Sequence, residues 1–193
     1  MKGSYLFLAE GFEETEALST LDVLRRGGLK VSTVSINDNA EVKGSHSIRV
    51  IADLTWSAFK AEGDFSGASS SDVLIFPGGM PGTKNLAADS ALIEIMKAHY
   101  NAGGTVAAIC AAPGLVASQL DDIKGKTVTC FDGFEEYLEN RGAVYTKKPA
   151  VADGNLITAR GAGCSIDFGL AILGHILGTE AVEKVRKGLQ IAD

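Results

Sequence analysis

Residues 5–36 have the sequence YLFLAEGFEETEALSTLDVLRRGGLKVSTVSI. The apolar run at its start is typical of a central β-strand that is covered on both faces, and the alternating run 30–36 predicts a second strand. Between the two runs, Ala17, Leu21 and Leu24 recur with the spacing of an amphipathic helix. Two strands joined by a helix of crossover length indicate a βαβ unit and therefore a parallel sheet.

Charged residues mark the two ends of this helix. It is predicted to run from residue 13 to about residue 26, with glutamates in its first turn, two arginines in its last turn and a glycine pair as the C-cap. This distribution complements the helix dipole. On this ground alone Glu13 and Glu14 are expected to be exposed carboxylates, and Glu16 is expected to be a third.

The alternation of apolar runs and helical patterns continues along the chain. Further strands are predicted at residues 72–76, 105–109, 127–130 and 156–160. Further helices are predicted at residues 90–101, 113–119, 133–140 and 165–177. The polar, small-residue segment 61–71 is expected to be a surface loop. We therefore expect an α/β fold with a doubly wound, mostly parallel sheet sandwiched by helices, in one domain spanning residues 1–193.

Composition and charge exclude several classes of function. The chain of 193 residues has a formal net charge of −6, which argues against a nucleic-acid partner. No apolar run approaches the about 20 residues needed to span a bilayer, and the first residues lead into a strand rather than a signal peptide. We therefore expect no membrane partner and a cytoplasmic location. The three cysteines are widely spaced and form no CxxC pair, which favours neither a disulfide framework nor a zinc site.

Cys110 is the strongest candidate for chemistry. In residues 108–113, AICAAP, it stands at the end of a predicted buried strand, and its small neighbours permit a sharp strand-to-helix turn. The N-terminus of the following helix favours the thiolate, and the amides of Ala111 and Gly79 are candidate oxyanion donors. From these residues alone, a buried structural cysteine is an equally good interpretation.

Four motifs occur in an order and spacing that identify a family resemblance. They are EGFEETE at residues 10–16, FPGG at residues 76–79, AAICAAP at residues 107–113 and TARGAG at residues 158–163. Together they closely resemble the DJ-1/PfpI superfamily, and the DJ-1-like branch more than the PfpI protease branch. The resemblance implies a flavodoxin-like fold of the class I glutamine amidotransferase type.

The resemblance assigns roles around Cys110. It implies that Cys110 is the nucleophile and an oxidation-sensitive thiol. Glu16 then becomes the carboxylic acid that hydrogen-bonds the sulfur and stabilises its oxidised sulfinate. Gly79 and Ala111 match the family's oxyanion amides.

The resemblance also assigns residues around the pocket. Arg160 falls on the family's arginine in an RGxG turn. Arg26 matches an arginine that reaches toward the partner subunit's site in dimeric members, so a homodimer is expected. His46 aligns near a family arginine in the strand-rich stretch 42–51, and we retain it as a candidate substrate contact and general base. No cofactor and no metal are expected.

Two departures from the family concern histidines. Family proteases place a histidine directly after the nucleophile, where this chain has Ala111. In the DJ-1-like branch a histidine approaches the cysteine from a later loop, and that position is Phe131 here. His99 and His175 lie in predicted helices, where packing is the favoured interpretation.

Several other features have two interpretations each. Cys130 is a resolving thiol or, more simply, a structural cysteine. Cys164 is a second low-pKa thiol or a packed side chain. The loop segment 66–71 is longer than in DJ-1 and alters either the pocket rim or the dimer surface. An acidic group is expected to be a solvated helix face rather than a metal site; its members are Asp132, Glu135 and Glu136.

These observations leave four functional hypotheses. The first is a cofactor-independent glyoxalase or deglycase, in which Cys110 attacks small reactive carbonyls such as methylglyoxal and Glu16 moves a proton between adjacent carbons. The second is a redox-sensing, chaperone-like stress protein that needs only the oxidation of Cys110. The third is a cysteine peptidase or amide hydrolase, against which Ala111 argues. The fourth is a degenerate member that binds a planar small molecule without chemistry.

Overall fold

The computed structural model describes residues 3–62 and 68–191. The strands in these residues are β1 (Ser4–Leu8), β2 (Val31–Ser35), β3 (Glu41–Lys43), β4 (Arg49–Ile51), β5 (Val73–Phe76), β6 (Thr105–Ile109), β7 (Thr127–Val128), β8 (Val144–Tyr145), β9 (Ala150–Asp153) and β10 (Leu156–Ala159). The helices are α1 (Glu14–Arg26), α2 (Trp56–Ala61), α3 (Gly82–Ala88), α4 (Ser90–Asn101), α5 (Ala112–Leu115), α6 (Glu135–Glu139), α7 (Ser165–Leu177) and α8 (Thr179–Gly188).

The main sheet of the described chain has six strands in the order β2-β1-β5-β6-β10-β9. All neighbouring pairs are parallel except β10 and β9, which form an antiparallel edge. The strand β1 lies between β2 and β5, so the chain winds outward in both directions from the centre of the sheet. The predicted doubly wound, mostly parallel sheet is therefore confirmed.

Helices cover both faces of this sheet because the central strands are apolar on both sides. Along β1, Phe7 faces a cluster that includes Phe59 of α2 and Met96 of α4. The alternate residue Leu8 faces a second cluster that includes Phe168 of α7. The burial of every residue of β1, β5 and β6 follows from this two-sided packing.

A small antiparallel hairpin of β3 and β4 packs across the beginning of α1. The amide of Gly11 donates to the carbonyl of Lys43 at 2.8 Å, and the amide of Ser45 donates to the carbonyl of Phe12 at 2.8 Å. These bonds bring the turn at residues 44–48 against the first residues of the helix. His46 belongs to this turn.

Several element boundaries differ from the sequence predictions. The helix expected at residues 113–119 is α5 followed by a separate 3-10 turn, Ala117–Gln119, because the amide of Gln119 bonds to Val116 three residues back. Short or amphipathic elements that the pattern did not predict are α2, α3, α8, β8 and β9. Part of the expected loop at residues 61–71 lies outside the described residues, and Ser69 within it donates to the carboxylate of Asp72 at 2.8 Å. No helix in the described part of the chain is long and apolar enough to cross a membrane.

Candidate active site

The main-sheet topology brings three of the predicted site segments to one edge. The strands β1, β5 and β6 are neighbours, and all three run in the same direction. The residues that follow them therefore meet at the carboxyl end of the sheet, where open parallel sheets form their sites. Glu16 follows β1, the turn Gly78 and Gly79 follows β5, and Cys110 follows β6.

The backbone at Cys110 makes the sharp turn that its small neighbours permit. Its φ angle is 67°, in the left-handed region that non-glycine residues rarely occupy. The amide of Cys110 donates to the carbonyl of Ala159 at 3.0 Å, and its carbonyl accepts from the amide of Phe131 at 2.8 Å. Bonds to β10 on one side and to the Phe131 loop on the other hold the strained conformation. The side chain remains partly accessible.

Glu16 lies beside Cys110 and is almost completely buried, with 1% of its surface exposed. Its Oε2 atom accepts from the amide of Gly78 at 2.7 Å, and its carboxyl is hydrogen-bonded to the Cys110 thiol. A Cβ atom at Gly78 would lie 2.5 Å from both Glu16 Oε2 and Cys110 Cβ. Glycine is thus required for the carboxyl and the sulfur to meet. The structure therefore overturns the expectation, drawn from charge pattern alone, that Glu16 is exposed.

The pKa values of Glu16 and Cys110 reflect burial and mutual contact. Burial raises the pKa of Glu16 from 4.5 to about 7, although hydrogen bonds from Cys110 and Gly78 oppose the change. Burial and the adjacent carboxylate charge raise the pKa of the Cys110 thiol from 9.0 to about 12. The pair therefore loses its first proton near neutral pH and keeps the second far into the alkaline range. A carboxyl that titrates near neutrality can both donate and accept a proton under physiological conditions.

The backbone amides of Gly79 and Ala111 hydrogen-bond the Cys110 sulfur and act to lower the pKa of its thiol. The turn that carries Gly79 is fixed by the amide of Glu13, which donates to the carbonyl of Gly78 at 2.9 Å. Both amides thus face the Cys110 sulfur, in the position that the family resemblance implies. Donors placed in this way stabilise negative charge on the sulfur or on an oxygen bonded next to it.

A cavity of about 340 Å³ lies beside this edge of the sheet. Phe131, Arg160 and Cys164 line it, together with the glycine-rich turn between the last two. Arg160 donates to Asp132 Oδ1 at 2.6 Å, which holds the guanidinium at the cavity wall. Among the described residues, no hydrogen-bond partner is found for the buried Nε atom of Arg160.

His46 lies against α1, and its surroundings correct one expectation. Glu14, which the charge pattern predicts to be exposed, is 4% exposed because the 44–48 turn covers it. Glu14 accepts from the His46 ring Nδ1 at 2.8 Å and from the His46 amide at 2.7 Å. Burial alone would raise the pKa of Glu14, but these and other hydrogen bonds outweigh it and lower the value to about 2. The bond to Glu14 raises the pKa of His46. The sequence pattern missed this cluster because only the folded hairpin brings the turn to the helix.

Arg26 lies at the end of α1 and pairs with a residue of the same helix rather than with Cys110 or Glu16. Its Nε atom pairs with Asp22 Oδ2 at 2.6 Å, one helical turn earlier on the surface of α1. Asp22 and Leu18 lie on the same helix face as Arg26 because all three are spaced by four residues. A role for Arg26 at a partner subunit's site stays a prediction.

The other residues considered above lie either in the core or on the surface of the protein. Cys130 is buried, and burial raises the pKa of its thiol to about 12. His99 is buried, and its Nε2 bonds to the carbonyl of Thr105 at 3.0 Å. His175 is exposed. Glu135 caps its own turn by accepting from the amide of Gly133 at 2.5 Å.

Comparisons with known proteins agree with this architecture. A model of the DJ-1/PfpI family matches residues 3–175. Protein dj-1beta of Drosophila melanogaster is 34% identical over 191 residues, which cover 99% of this chain and 98% of the fly protein. Its crystal structure matches with a TM-score of 0.86 and covers 100% of both chains.

Two further relatives extend the comparison. The crystal structure of a mutant DJ-1 superfamily protein from Salmonella typhimurium matches with a TM-score of 0.87 at 31% identity, over 100% of both chains. A Schizosaccharomyces pombe protein named glutathione-independent glyoxalase DJ-1 is 27% identical over 189 residues, which cover 96% of this chain and 97% of that protein. The family model matches most of this chain, and the fly relative is 34% identical over 99% of it. The chain therefore belongs to the DJ-1/PfpI family.

Proposed function

We propose that this protein converts small reactive dicarbonyl compounds such as methylglyoxal to the corresponding hydroxy acid, with Cys110 as nucleophile and Glu16 as acid–base group. One observation carries the proposal: the Cys110 sulfur, held on a strained turn, is hydrogen-bonded to the buried carboxyl of Glu16. The name of the S. pombe relative, a glutathione-independent glyoxalase, adds support.

The first step is the addition of the Cys110 thiol to the aldehyde carbon. A sulfur–carbon bond forms, the carbonyl π electrons move to the aldehyde oxygen, and the thiol proton ends on that oxygen to give a hemithioacetal. The amides of Gly79 and Ala111, which face the sulfur, stabilise the negative charge that develops beside it. No cofactor is needed for this step.

The second step is a proton transfer between neighbouring carbons. Glu16 takes the proton from the former aldehyde carbon and returns it to the former ketone carbon, while the hydroxyl proton of the hemithioacetal passes to the former ketone oxygen. The first carbon is thereby oxidised to a thioester, and the second is reduced to an alcohol. The two changes balance, so no external oxidant or reductant is required. Water then cleaves the thioester, releases the hydroxy acid and restores the Cys110 thiol.

The cavity lined by Phe131 and Arg160 suits a small substrate, although neither Cys110 nor Glu16 is among the residues that line it. Its volume of about 340 Å³ is at the lower end of ordinary small-molecule sites. Phe131 offers an apolar wall, and Arg160 offers a cation that can bind a carbonyl or carboxylate oxygen. His46 is assigned no step, because its described partners are Ser45, Glu13 and Glu14.

A second candidate function is redox sensing by the same thiol. The carboxyl of Glu16 and the amides of Gly79 and Ala111 surround the sulfur with hydrogen-bonding groups that also suit sulfinate oxygens. Two equivalents of peroxide would oxidise the Cys110 thiol to the sulfinate, and two equivalents of water would form. This function needs neither of the family histidines that the chain lacks.

We also propose that two copies of the chain form a homodimer through α1 and α7. Leu18 and Ile166 are large apolar side chains that are 37% and 41% exposed, and both line one surface depression. Arg26 lies on the same face of α1 as Leu18. A second copy seated here would cover the apolar surface and bring Arg26 to the subunit boundary.

Mass spectrometry of the Cys110 peptide tests the two chemical functions together. The wild-type protein and the Cys164→Ala control are exposed briefly to methylglyoxal or, separately, to mild peroxide. The proposal predicts a carbonyl adduct that forms first on Cys110 in both proteins. Selective gain of two oxygens at Cys110, without a carbonyl adduct, would favour redox sensing. Equal modification of Cys110 and Cys164 would contradict both functions.

A further inference from the structure

Glu13, Glu14 and His46 form a cluster at the start of α1 that the proposed reaction does not use. One ligand atom from each residue lies within 4.8 Å of the other two. We propose that this cluster binds a divalent transition-metal ion, and that Zn²⁺ is the best match to its one imidazole nitrogen and two carboxylate oxygens. The proposal does not depend on the reaction at Cys110.

Each glutamate of the cluster is anchored through one oxygen and presents the other. Glu13 Oε2 accepts from the amide of Glu16 at 2.6 Å. Glu14 Oε1 accepts from the amides of His46 at 2.7 Å and Ile48 at 3.4 Å. The remaining oxygens, Glu13 Oε1 and Glu14 Oε2, both face the Nδ1 atom of His46. Backbone donors that orient a ligand from behind are the usual outer shell of a metal site.

The two separations from the His46 nitrogen bracket the spacing that a tetrahedral ion requires, and the two carboxylate oxygens lie within 4.8 Å of each other. His46 Nδ1 lies 2.8 Å from Glu14 Oε2 and 3.8 Å from Glu13 Oε1. Metal–ligand bonds of about 2.0–2.2 Å place two ligand atoms of a tetrahedral site about 3.4 Å apart. The observed separations lie on either side of this value. The His46 side chain is 70% exposed, so its ring can turn to equalise them while the anchored carboxylates stay in place.

The charge around the cluster also favours a cation. Within residues 3–62 and 68–191, the ion pairs of Glu13 and Glu14 are made with His46 alone, so no lysine or arginine neutralises these two carboxylates. Ser45 Oγ donates to Glu14 Oε2 at 3.2 Å and can keep this bond when a metal replaces the proton of Nδ1, because a carboxylate oxygen accepts more than one partner. Three protein ligands leave one tetrahedral position for water.

Zinc titration by calorimetry tests the proposal on the full chain. Thiols also bind zinc, so the titration uses a Cys110→Ser, Cys164→Ser background whose fold is checked by circular dichroism. We expect one Zn²⁺ per chain, and His46→Ala or Glu13→Gln should weaken binding at least tenfold. The matched control is His175→Ala, which removes an exposed histidine elsewhere and should leave the affinity unchanged.

The visible spectrum of the Co²⁺-loaded wild-type chain gives a second readout that requires no cysteine variant. Nitrogen and oxygen ligands predict weak ligand-field bands without an intense thiolate-to-cobalt band. The proposal is overturned if no stoichiometric ion binds, if His46→Ala binds as tightly as its parent, or if His175→Ala weakens binding equally. A dominant thiolate band would place the ion on a cysteine and would also overturn it.

Discussion

Cys110 and Glu16 depend on each other's protonation state. The Glu16 carboxyl is buried, so its charge is poorly screened, and that charge is one cause of the high pKa of the thiol. The amides of Gly79 and Ala111 act in the opposite direction. Loss of one proton from the pair gives a single negative charge that these donors can stabilise, whereas loss of both would place two charges in contact.

Replacing Glu16 by glutamine should therefore lower the pKa of Cys110 from about 12, since the adjacent negative charge is removed while burial remains. The same change should reduce glyoxalase turnover by about 10²–10⁴-fold, because glutamine cannot transfer the proton. The rate of iodoacetamide alkylation of the Cys110 peptide as a function of pH measures the first effect. Glu136→Gln, an exposed charge elsewhere, is the control; an unchanged alkylation profile for Glu16→Gln would refute the coupling.

At the scale of elements, the candidate site lies where the carboxyl ends of β1, β5 and β6 meet. The turn after β5 lies between Glu16 and Cys110. The β5 turn can approach both Glu16 and Cys110 only because Gly78 has no side chain. Gly78→Ala should lower the free energy of unfolding by about 1–3 kcal/mol through overpacking and separate the carboxyl from the sulfur. Thermal unfolding and Cys110 reactivity measure the two effects. Gly188→Ala, at the end of α8 where a Cβ meets nothing within 4 Å, is the control and should leave the free energy of unfolding unchanged or slightly raised.

The contact between the β3–β4 hairpin and α1 makes stability depend on pH. The pKa of Glu14 is near 4.5 in the unfolded chain and about 2 in the folded protein, so its stabilising contribution is present above pH 4.5 and is lost as the pH falls toward 2. Glu14→Gln should lower the free energy of unfolding at neutral pH by about 1–3 kcal/mol, and the deficit should shrink over that acidic interval. Urea unfolding at several pH values measures this loss of unfolding free energy, and the exposed-site variant Glu183→Gln is the control. A deficit that does not vary with pH would contradict this account.

The elements also show what the sequence can and cannot predict. The run 105–109 and the small residues after it place Cys110 at a strand end, because a two-sided apolar strand and a tight turn are local properties. The burial of Glu14 is not local: it requires the 44–48 turn to fold over the helix. By contrast, the antiparallel pairing of β9 with β10 and the change from α5 to a 3-10 turn are local features that the apolar pattern missed. The contact between Glu16 and Cys110 was available only from the family resemblance until the structure placed the two side chains together.

At the scale of the whole molecule, the proposed homodimer rests on the exposed apolar face of α1 and α7. Leu18→Glu places a charge on that face and should shift the protein from dimer to monomer in sedimentation experiments, because burying an unpaired carboxylate is costly. Val144→Glu changes an exposed apolar residue in β8 and should leave the mass unchanged. A wild-type protein that sediments as a monomer at micromolar concentration would contradict the proposed homodimer.

The most direct test of the central claim is lactate formation from methylglyoxal by the purified protein, without glutathione. We predict that wild-type protein forms one lactate for each methylglyoxal consumed, and that Cys110→Ala loses this turnover while the exposed-site control His175→Ala retains it. A folded wild-type protein that forms no lactate, or a Cys110→Ala variant that forms it at the wild-type rate, would contradict the account.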